Sequence, residues 1–178
     1  MSPSGDSGNA LNVADEMRSQ SFSTGSRRPP RLSIVFQDRG LPLYFVTFCT
    51  ADRKYLLANS KVHEAFLRYG ERGIREHGVA VGRYVIMPDH IHLFVRGGPE
   101  FVLQVWVRGL RRSLSDALRE TGPAGSVWQE GFFDHVMRSS ESYAEKWAYV
   151  RENPARKGLV EKADEWPYAG EIVAIERT

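Results

Sequence analysis

Hydrophobic and polar positions follow one another along this chain with two different spacings, which predict a succession of strands and helices. Residues 41–50 (LPLYFVTFCT) are dominated by aromatic and β-branched side chains, as is typical of a strand. In residues 60–78, apolar side chains instead recur every three or four positions up to Gly78, the spacing of an amphipathic helix that ends at glycine. The same reasoning predicts further strands over residues 79–87, 90–98 and 132–139, and further helices over residues 100–120 and 141–153.

The last of these helices has Ser140 as its predicted N-cap and ends before Pro154, because proline disfavours a helical residue in front of it. The resulting order, β-α-β-β-α-β followed by one more helix, is typical of an α+β protein with a ferredoxin-like, split βαβ antiparallel sheet. We therefore expect helices on the faces of this sheet and an additional C-terminal helix that carries Tyr149. A fold of this class does not by itself define a function.

Residues 1–31 differ from the rest of the chain because they are rich in Ser and Gly and nearly free of large apolar side chains. Such a segment cannot bury enough surface to offset the entropy lost on ordering, so it is predicted to be a disordered leader. Residues 32–178 are then expected to form a single domain with one good core.

The composition restricts the possible partners and cellular locations of the protein but does not define a function. The formal charge is only +2 and the pI about 8.8, so any contact with nucleic acid has to come from a local cluster of basic side chains. The single cysteine, Cys49, excludes an internal disulfide and fits a reducing compartment. No apolar run approaches a membrane span and the N-terminus lacks the apolar core of a signal peptide, so a cytoplasmic location without membrane contact is expected.

Two histidines interrupt the otherwise apolar strand that contains residues 90–98. His90 and His92 are two residues apart and therefore project from the same face of the strand, about 6.6 Å from each other. They can direct both imidazoles at one divalent cation such as Mg²⁺ or Mn²⁺, with a third ligand supplied from elsewhere in the fold. The alternative interpretation is a pair of hydrogen-bonded structural histidines.

The last helix carries a tyrosine outside its apolar stripe. At 100° per residue, Tyr143, Ala144, Trp147 and Val150 are predicted to form the core stripe, whereas Tyr149 lies about 200° from Trp147. Asn153 is four residues further on and therefore lies beside Tyr149, one turn along the helix. Beside a metal-bound phosphate, the phenol could act as a nucleophile and form a covalent phosphotyrosyl intermediate, with the Asn153 amide oxygen as third metal ligand.

Four segments of the chain together resemble a known protein family. MPDHIHLFV is similar to the His-hydrophobic-His (HUH) motif, and YVRENPARKGLV resembles the tyrosine helix of single-tyrosine HUH transposases, also described as IS200-like. VWQEGFFDHVMRS and DEWPYAG are similar to the branch of REP-associated tyrosine transposases. The resemblance covers about residues 41 to 170, most of the part predicted to be ordered.

This resemblance implies cleavage and rejoining of single-stranded or hairpin DNA, with REP-like palindromes among the candidate targets. It implies His90 and His92 as ligands of Mg²⁺ or Mn²⁺ and Tyr149 as the nucleophile that becomes linked to the 5′ phosphate and frees a 3′ hydroxyl. Asn153 falls where family members place a polar third ligand. An active transposase and a domesticated enzyme are both compatible with it, and so are a monomer and a homodimer. DNA binding implies association with the nucleoid.

Basic residues near these motifs are candidates for DNA contact. Guanidinium groups suit phosphate oxygens, and residues spaced i, i+3, i+4 share one helix face. His135 alternates with its neighbours on the last long strand and is a weaker candidate for DNA or metal. The predicted DNA-binding residues are Arg108, Arg111, Arg112, His135, Arg138, Arg156 and Lys157.

The same residues are compatible with two other functions. One is a non-catalytic protein that binds single-stranded or hairpin DNA on the same scaffold. The other is a metal-dependent phosphodiesterase in which water, rather than tyrosine, attacks the phosphate.

Overall fold

A five-stranded antiparallel sheet forms the centre of the protein in a computed structural model, which describes residues 40–119 and 126–175. The strands are β1 (Leu43–Cys49), β2 (Ala80–Ile86), β3 (His90–Arg96), β4 (Phe133–Met137) and β5 (Ala169–Glu171). Their order is β4-β1-β3-β2-β5, with antiparallel neighbours throughout. The first four strands have the split βαβ arrangement, in which β3 lies between β1 and β2. The predicted ferredoxin-like α+β fold is confirmed, while β5 was not predicted.

Different helices cover the two faces of the sheet. The helices are α1 (Ser60–His77), α2 (Leu103–Ala117), α3 (Ser140–Arg151) and a single turn, α4 (Asn153–Arg156), with 3-10 turns at Ala51–Arg53 and Ala163–Glu165. Alternate strand residues point to opposite faces. In β1, Phe48 therefore joins an apolar cluster with Leu110 of α2, whereas Phe45 joins a second cluster with Val150 of α3.

The histidine face is the side of the sheet on which His90, His92 and Phe94 alternate along β3. Phe94 packs against Tyr143 of α3 at a ring distance of 4.6 Å, so this face is the one that α3 covers. The intervening residues Ile91, Leu93 and Val95 belong to the cluster beneath α1 and α2. The additional helix that was predicted to carry Tyr149 thus packs on the same face as the two histidines.

The ends of the helices follow local chemistry. Asn59 caps α1 by accepting a hydrogen bond from the backbone N–H of Val62, and Gly78 ends the helix in a left-handed conformation at φ 59°, as predicted. For α3 the predicted cap was wrong by one residue. Ser139, not Ser140, is the N-cap, because its Oγ accepts a hydrogen bond from the backbone N–H of Ser142. In return, Oγ of Ser142 accepts from the backbone N–H of Ser139 at 3.3 Å, which completes a capping box.

The predicted core stripe of α3 also needs correction. Tyr143 and Val150 are buried, but Ala144 is exposed and Trp147 is only half-buried. The buried stripe turns toward Lys146 rather than toward Ala144, since Lys146 lies about 40° from Val150 around the helix and Ala144 lies about 120° from it. The helix ends at Arg151 instead of continuing to residue 153, and α4 then begins at residue 153 as a separate turn.

Two expectations fall partly outside the described residues. The predicted leader, residues 1–31, lies outside them, as does the start of the predicted domain at residue 32. Within residues 40–119 and 126–175, no helix combines the length and the apolar character that crossing a membrane requires.

Candidate metal and nucleic-acid site

His90 and His92 lie next to each other on the histidine face at the start of β3. Their ring centroids are 4.7 Å apart, and the ring planes are nearly perpendicular at 83°. His90 is buried, and the ring of His92 stacks on Phe45 at a centroid distance of 5.6 Å. The structure therefore brings the two imidazoles together, as the alternation of residues along a strand predicts.

A contact at Nδ1 orients each ring. Oδ1 of Asp89 lies 2.6 Å from Nδ1 of His90, and Oγ1 of Thr47 lies 2.7 Å from Nδ1 of His92. Thr47 holds this position because it is the partner of His92 in the pairing of β1 with β3. When Nδ1–H donates to these oxygens, Nε2 of each ring carries the lone pair that a metal ion binds.

Burial keeps both imidazoles neutral. Burial, with smaller effects from His90, Arg53 and Lys146, lowers the pKa of His92 to about 3. Burial is also the main cause of the lowered pKa of His90, and the contact with Asp89 opposes it. Neutral imidazole is the form that binds metal ions, so no proton has to be displaced from these rings at neutral pH.

Three cations from different elements surround the histidine pair. Arg53 follows β1, and its Nη2 lies 3.4 Å from Nδ1 of His90. Lys146 of α3 lies 5.4 Å above the ring of Phe45, the same ring on which His92 stacks. The charge of Lys157, just after α4, contributes to the lowered pKa of His90. The surroundings of the imidazoles are therefore positive and suited to a phosphate group.

The backbone that presents Arg53 is strained. Asp52 and Arg53 both adopt left-handed conformations, with φ of 55° and 57°, which residues with a side chain rarely adopt. Arg53 is held there by its Nε, 2.7 Å from Oδ2 of Asp89, and by an Nη1 contact of 2.7 Å with Sγ of Cys49. Strain of this kind concentrates at functional sites, where the surrounding contacts maintain it.

The two imidazoles could supply two ligands of a divalent ion, and its other coordination positions would have to be filled by other groups. No group of three His, Cys, Asp or Glu side chains in the described part of the chain is placed to hold a metal ion. Asp89 is engaged by His90 and Arg53, so the available donors are two imidazole nitrogens and amide or phosphate oxygens. Mixed nitrogen and oxygen sets of this kind suit Mg²⁺, Mn²⁺ and similar ions.

Tyr149 is exposed on the flank of α3, with 62% of its surface accessible. It follows Lys146 by three residues, so the two side chains are neighbours on the helix surface. Tyr143 and Tyr168, two other tyrosines in the C-terminal part of the chain, are less available, because burial raises the pKa of Tyr143 to about 12 and also raises that of Tyr168. Among the described residues, Tyr149 makes no hydrogen bond or ring contact with His90 or His92.

Arg156 joins the predicted nucleophile to the predicted third ligand. Its guanidinium lies 4.1 Å from the ring centroid of Tyr149 and donates a hydrogen bond to the backbone carbonyl of the same residue. Its Nη2 also donates to Oδ1 of Asn153 at 2.8 Å. The Asn153 amide oxygen therefore already accepts from a cation, which makes it a weaker ligand for a metal ion while Arg156 remains bound.

The arginines of α2 are not part of this site. Leu110 and Leu114 of α2 pack on the sheet face opposite the histidines. Arg108, Arg111 and Arg112 belong to the same helix and therefore lie on that side of the sheet. The Arg111 guanidinium contacts the rings of Phe48, Trp128 and Phe132 and donates to the Gly131 carbonyl. Arg108 and Arg112 are exposed along an open cavity of about 800 Å³ between α2 and residues 126–131. Arg111 is thus largely committed to packing.

The other predicted DNA contacts are divided between locations. His135 is exposed on β4 and pairs with Phe45, which places it on the histidine face. Arg138 is exposed just after β4. Arg156 and Lys157 are exposed near Tyr149 and His90 respectively. The sequence interpretation missed Arg53, Lys146 and the orienting role of Thr47, and of these only Lys146, one turn before Tyr149, carried a local signal.

The structure thus places the histidine pair and the helix that carries Tyr149 on one face of a ferredoxin-like sheet. The chain belongs to the family described as Transposase IS200 like, whose sequence profile matches residues 42–153. This finding confirms the family resemblance found in the sequence.

Individual relatives are distant but cover much of the chain. A Haemophilus influenzae protein assigned as a REP-associated tyrosine transposase is 24% identical over 138 residues, which span 71% of this chain and 78% of that protein. The REP-associated tyrosine transposase of Escherichia coli K12 is 23% identical over 97 residues, 53% of this chain and 56% of its own. A solved REP-associated tyrosine transposase bound to a REP hairpin matches with a TM-score of 0.61 and 18% identity, covering 77% of this chain and 92% of that one. The structural likeness shows a shared fold.

Proposed function

We propose that this protein cleaves and rejoins single-stranded or hairpin DNA, using Tyr149 as nucleophile and a divalent ion held by His90 and His92. The observation that carries the proposal is the pair of neutral imidazoles, each oriented through Nδ1, set among cations on the sheet face that the tyrosine helix covers. Membership in the IS200-like transposase family supports the same reaction class.

In the proposed reaction, the Tyr149 hydroxyl loses its proton and its oxygen bonds to the scissile phosphorus. The bond from phosphorus to the 3′ oxygen breaks, and that oxygen gains a proton, so the products are a 5′-phosphotyrosyl enzyme and a free 3′ hydroxyl. Rejoining reverses these changes with a new 3′ hydroxyl and requires no ATP, because the phosphodiester energy is kept in the tyrosyl ester. A bound Mg²⁺ or Mn²⁺ would polarise and orient the phosphate oxygens.

The side chains divide the work around that phosphate. His90 and His92 would bind the ion through Nε2, and Asn153 would supply an amide oxygen once Arg156 releases it. Lys146 lies on the same flank of α3 as Tyr149 and provides a positive charge for the phosphate oxygens.

The proposed substrate is DNA with a hairpin and an unpaired flank. Relatives of this chain are REP-associated tyrosine transposases, and one solved relative is bound to a REP hairpin. We extend this substrate class to the present protein, with REP-like palindromes as candidates. Single-stranded flanks fit because attack on phosphorus requires a backbone that can bend into the site.

The deciding experiment is a denaturing gel after incubation with Mn²⁺ and labelled hairpin DNA that carries single-stranded flanks. We expect a labelled protein band with the wild type and none with Tyr149→Phe, while the variant keeps its fold and its DNA affinity. Tyr55→Phe is the matched control, because Tyr55 is also strongly exposed, at 76%, and carries no proposed role. An adduct undiminished in Tyr149→Phe would exclude Tyr149 as the nucleophile.

The same gel separates the second candidate, a non-catalytic DNA-binding protein on this scaffold. That candidate is favoured by the engagement of Asn153 with Arg156. It predicts neither cleavage nor adduct on this gel, together with DNA binding in a native gel-shift assay that chelator does not change. A cleaved product that is never attached to protein would instead indicate a hydrolytic phosphodiesterase.

A further inference from the structure

The edge strand β4 carries an exposed aromatic residue on the histidine face. Phe133 is 60% accessible, although single exposed apolar residues are common and need no function by themselves. What distinguishes Phe133 is its register: it pairs with Thr47 of β1, and Thr47 pairs with His92 of β3. Directly paired residues on neighbouring strands project to the same face.

Phe133, Thr47 and His92 therefore form one row across three strands. Neighbouring strands are about 4.8 Å apart, so Phe133 stands about 10 Å from His92, measured between backbones. Thr47 between them is small, and its hydroxyl is turned to His92. Beyond it the row ends in an aromatic ring open to solvent, beside the proposed phosphate site.

The charges around this row favour one kind of occupant. Arg53 and Lys146 lie close to the two imidazoles, while Asp89, the one carboxylate that contacts them within residues 40–119 and 126–175, is already engaged by His90 and Arg53. A flexible polyanion with flat apolar groups along it suits this arrangement, because its phosphates meet the cations and its bases meet the ring. Single-stranded DNA has these properties, and aromatic stacking on bases is largely independent of sequence.

We infer that Phe133 is a stacking platform for an unpaired base next to the scissile phosphate. The inference rests on the proposed function, since it takes the histidine pair as the position of that phosphate. His135 is two residues along the same strand and faces the same way, so the following nucleotide would pass over it.

The test measures binding rather than cleavage, so it does not depend on catalysis. In a Tyr149→Phe background with chelator, we would compare hairpins with and without a single-stranded flank by fluorescence anisotropy. Phe133→Ala is expected to weaken binding of the flanked hairpin by about tenfold, as one base stack contributes. The blunt hairpin should bind both proteins equally, and Phe133→Trp should restore affinity for the flanked hairpin.

An abasic scan locates the base. One flank position should exist at which removal of the base weakens binding by the parent protein but not by Phe133→Ala. Val136→Ala is the matched control, because Val136 is also exposed on β4 but points to the other face, and its affinity should not change. Equal affinities of Phe133→Ala and its parent for the flanked hairpin would overturn the inference. So would a change of oligomeric state in Phe133→Ala without a change in affinity, which would assign Phe133 to contact between copies.

Failure of the two proposals can be told apart. If Tyr149 never forms an adduct but one abasic position weakens binding as described, the stacking inference is supported and the proposed cleavage reaction is refuted. If the adduct forms and no such position exists, the proposed cleavage reaction is supported and Phe133 has no part in DNA binding.

Discussion

The contact between Thr47 and His92 gives the sharpest quantitative prediction. Oγ1 and Nδ1 are 2.7 Å apart, and the residues face each other across the central strand pair. Thr47→Val keeps the β-branched shape that a strand accommodates and removes only the hydroxyl. His92 then keeps its half-buried, neutral ring but loses the partner of Nδ1.

The expected loss follows from leaving a partly buried polar atom without a partner, which costs about 1 kcal/mol of unfolding free energy, the low end of the range for buried atoms. His92→Phe removes the other partner, and the new ring can keep the stack on Phe45 that His92 makes at 5.6 Å. Replacing both partners by apolar groups leaves no unpaired atom. The double variant should therefore be more stable than the sum of the two single losses predicts, by about 1–2 kcal/mol.

The measurement is urea unfolding at pH 7.5 without added metal, on the wild type, both single variants and the double variant. For a chain of this size, each kcal/mol also lowers the melting temperature by about 2–4 °C, which provides an independent check. Thr47→Val should in addition weaken Mn²⁺ binding by about 10- to 100-fold, because it removes the group that fixes the ring. A Thr47→Val protein as stable as the wild type, or strictly additive losses, would refute the reasoning.

Three further predictions follow from the same site. The folded-state pKa of His92, about 3, is below its unfolded value near 6.5. As the pH is lowered, the unfolded chain therefore binds the proton first, and the protein becomes less stable. Between pH 7.5 and 5.5 the wild type should lose about 1.4 kcal/mol more unfolding free energy than His92→Phe, measured by urea unfolding. An equal loss would show that His92 does not remain neutral. Mn²⁺ at 100 times its dissociation constant should stabilise the wild type by about 2.7 kcal/mol in thermal unfolding and hardly affect His90→Ala, whereas equal shifts would place the ion elsewhere. Arg156→Ala frees Oδ1 of Asn153 from its hydrogen bond. In titration calorimetry without DNA, this variant should bind Mn²⁺ roughly fivefold more tightly, a change equivalent to one hydrogen bond. Weaker binding would mean that Arg156 positions Asn153 for the ion.

The larger part of the fold was determined by local spacing. The sequence spacing predicted the strands that became β1 to β4, the three long helices and the end of α1 at Gly78, because these depend on neighbours within a few residues. The same local rules placed His90 and His92 on one face of a strand, whereas Asn153 lies beyond the end of α3 and is linked to Tyr149 through Arg156. The errors were the cap at Ser139, the exposed Ala144, the end of α3 at Arg151 and the missed strand β5, three residues long and defined by its pairing with β2.

The composition of the site depended on contacts between distant parts of the chain. Thr47 and His92 are 45 residues apart, and only the register of β1 against β3 makes them partners. Arg53 reaches His90 across 37 residues by way of a strained turn that no periodicity indicates. Sequence reasoning could place neither residue, because strand register is fixed by the packing of the whole sheet.

The tertiary structure also decided which side each basic group occupies. The spacing of Arg108, Arg111 and Arg112 correctly predicted a shared helix surface, but α2 packs on the face away from the histidines. Phe133 was an ordinary strand residue in the sequence, and the sheet order β4-β1-β3 put it in line with His92. Periodicity along one element states which residues share a surface; the side of the sheet on which that surface lies is set by how the elements pack.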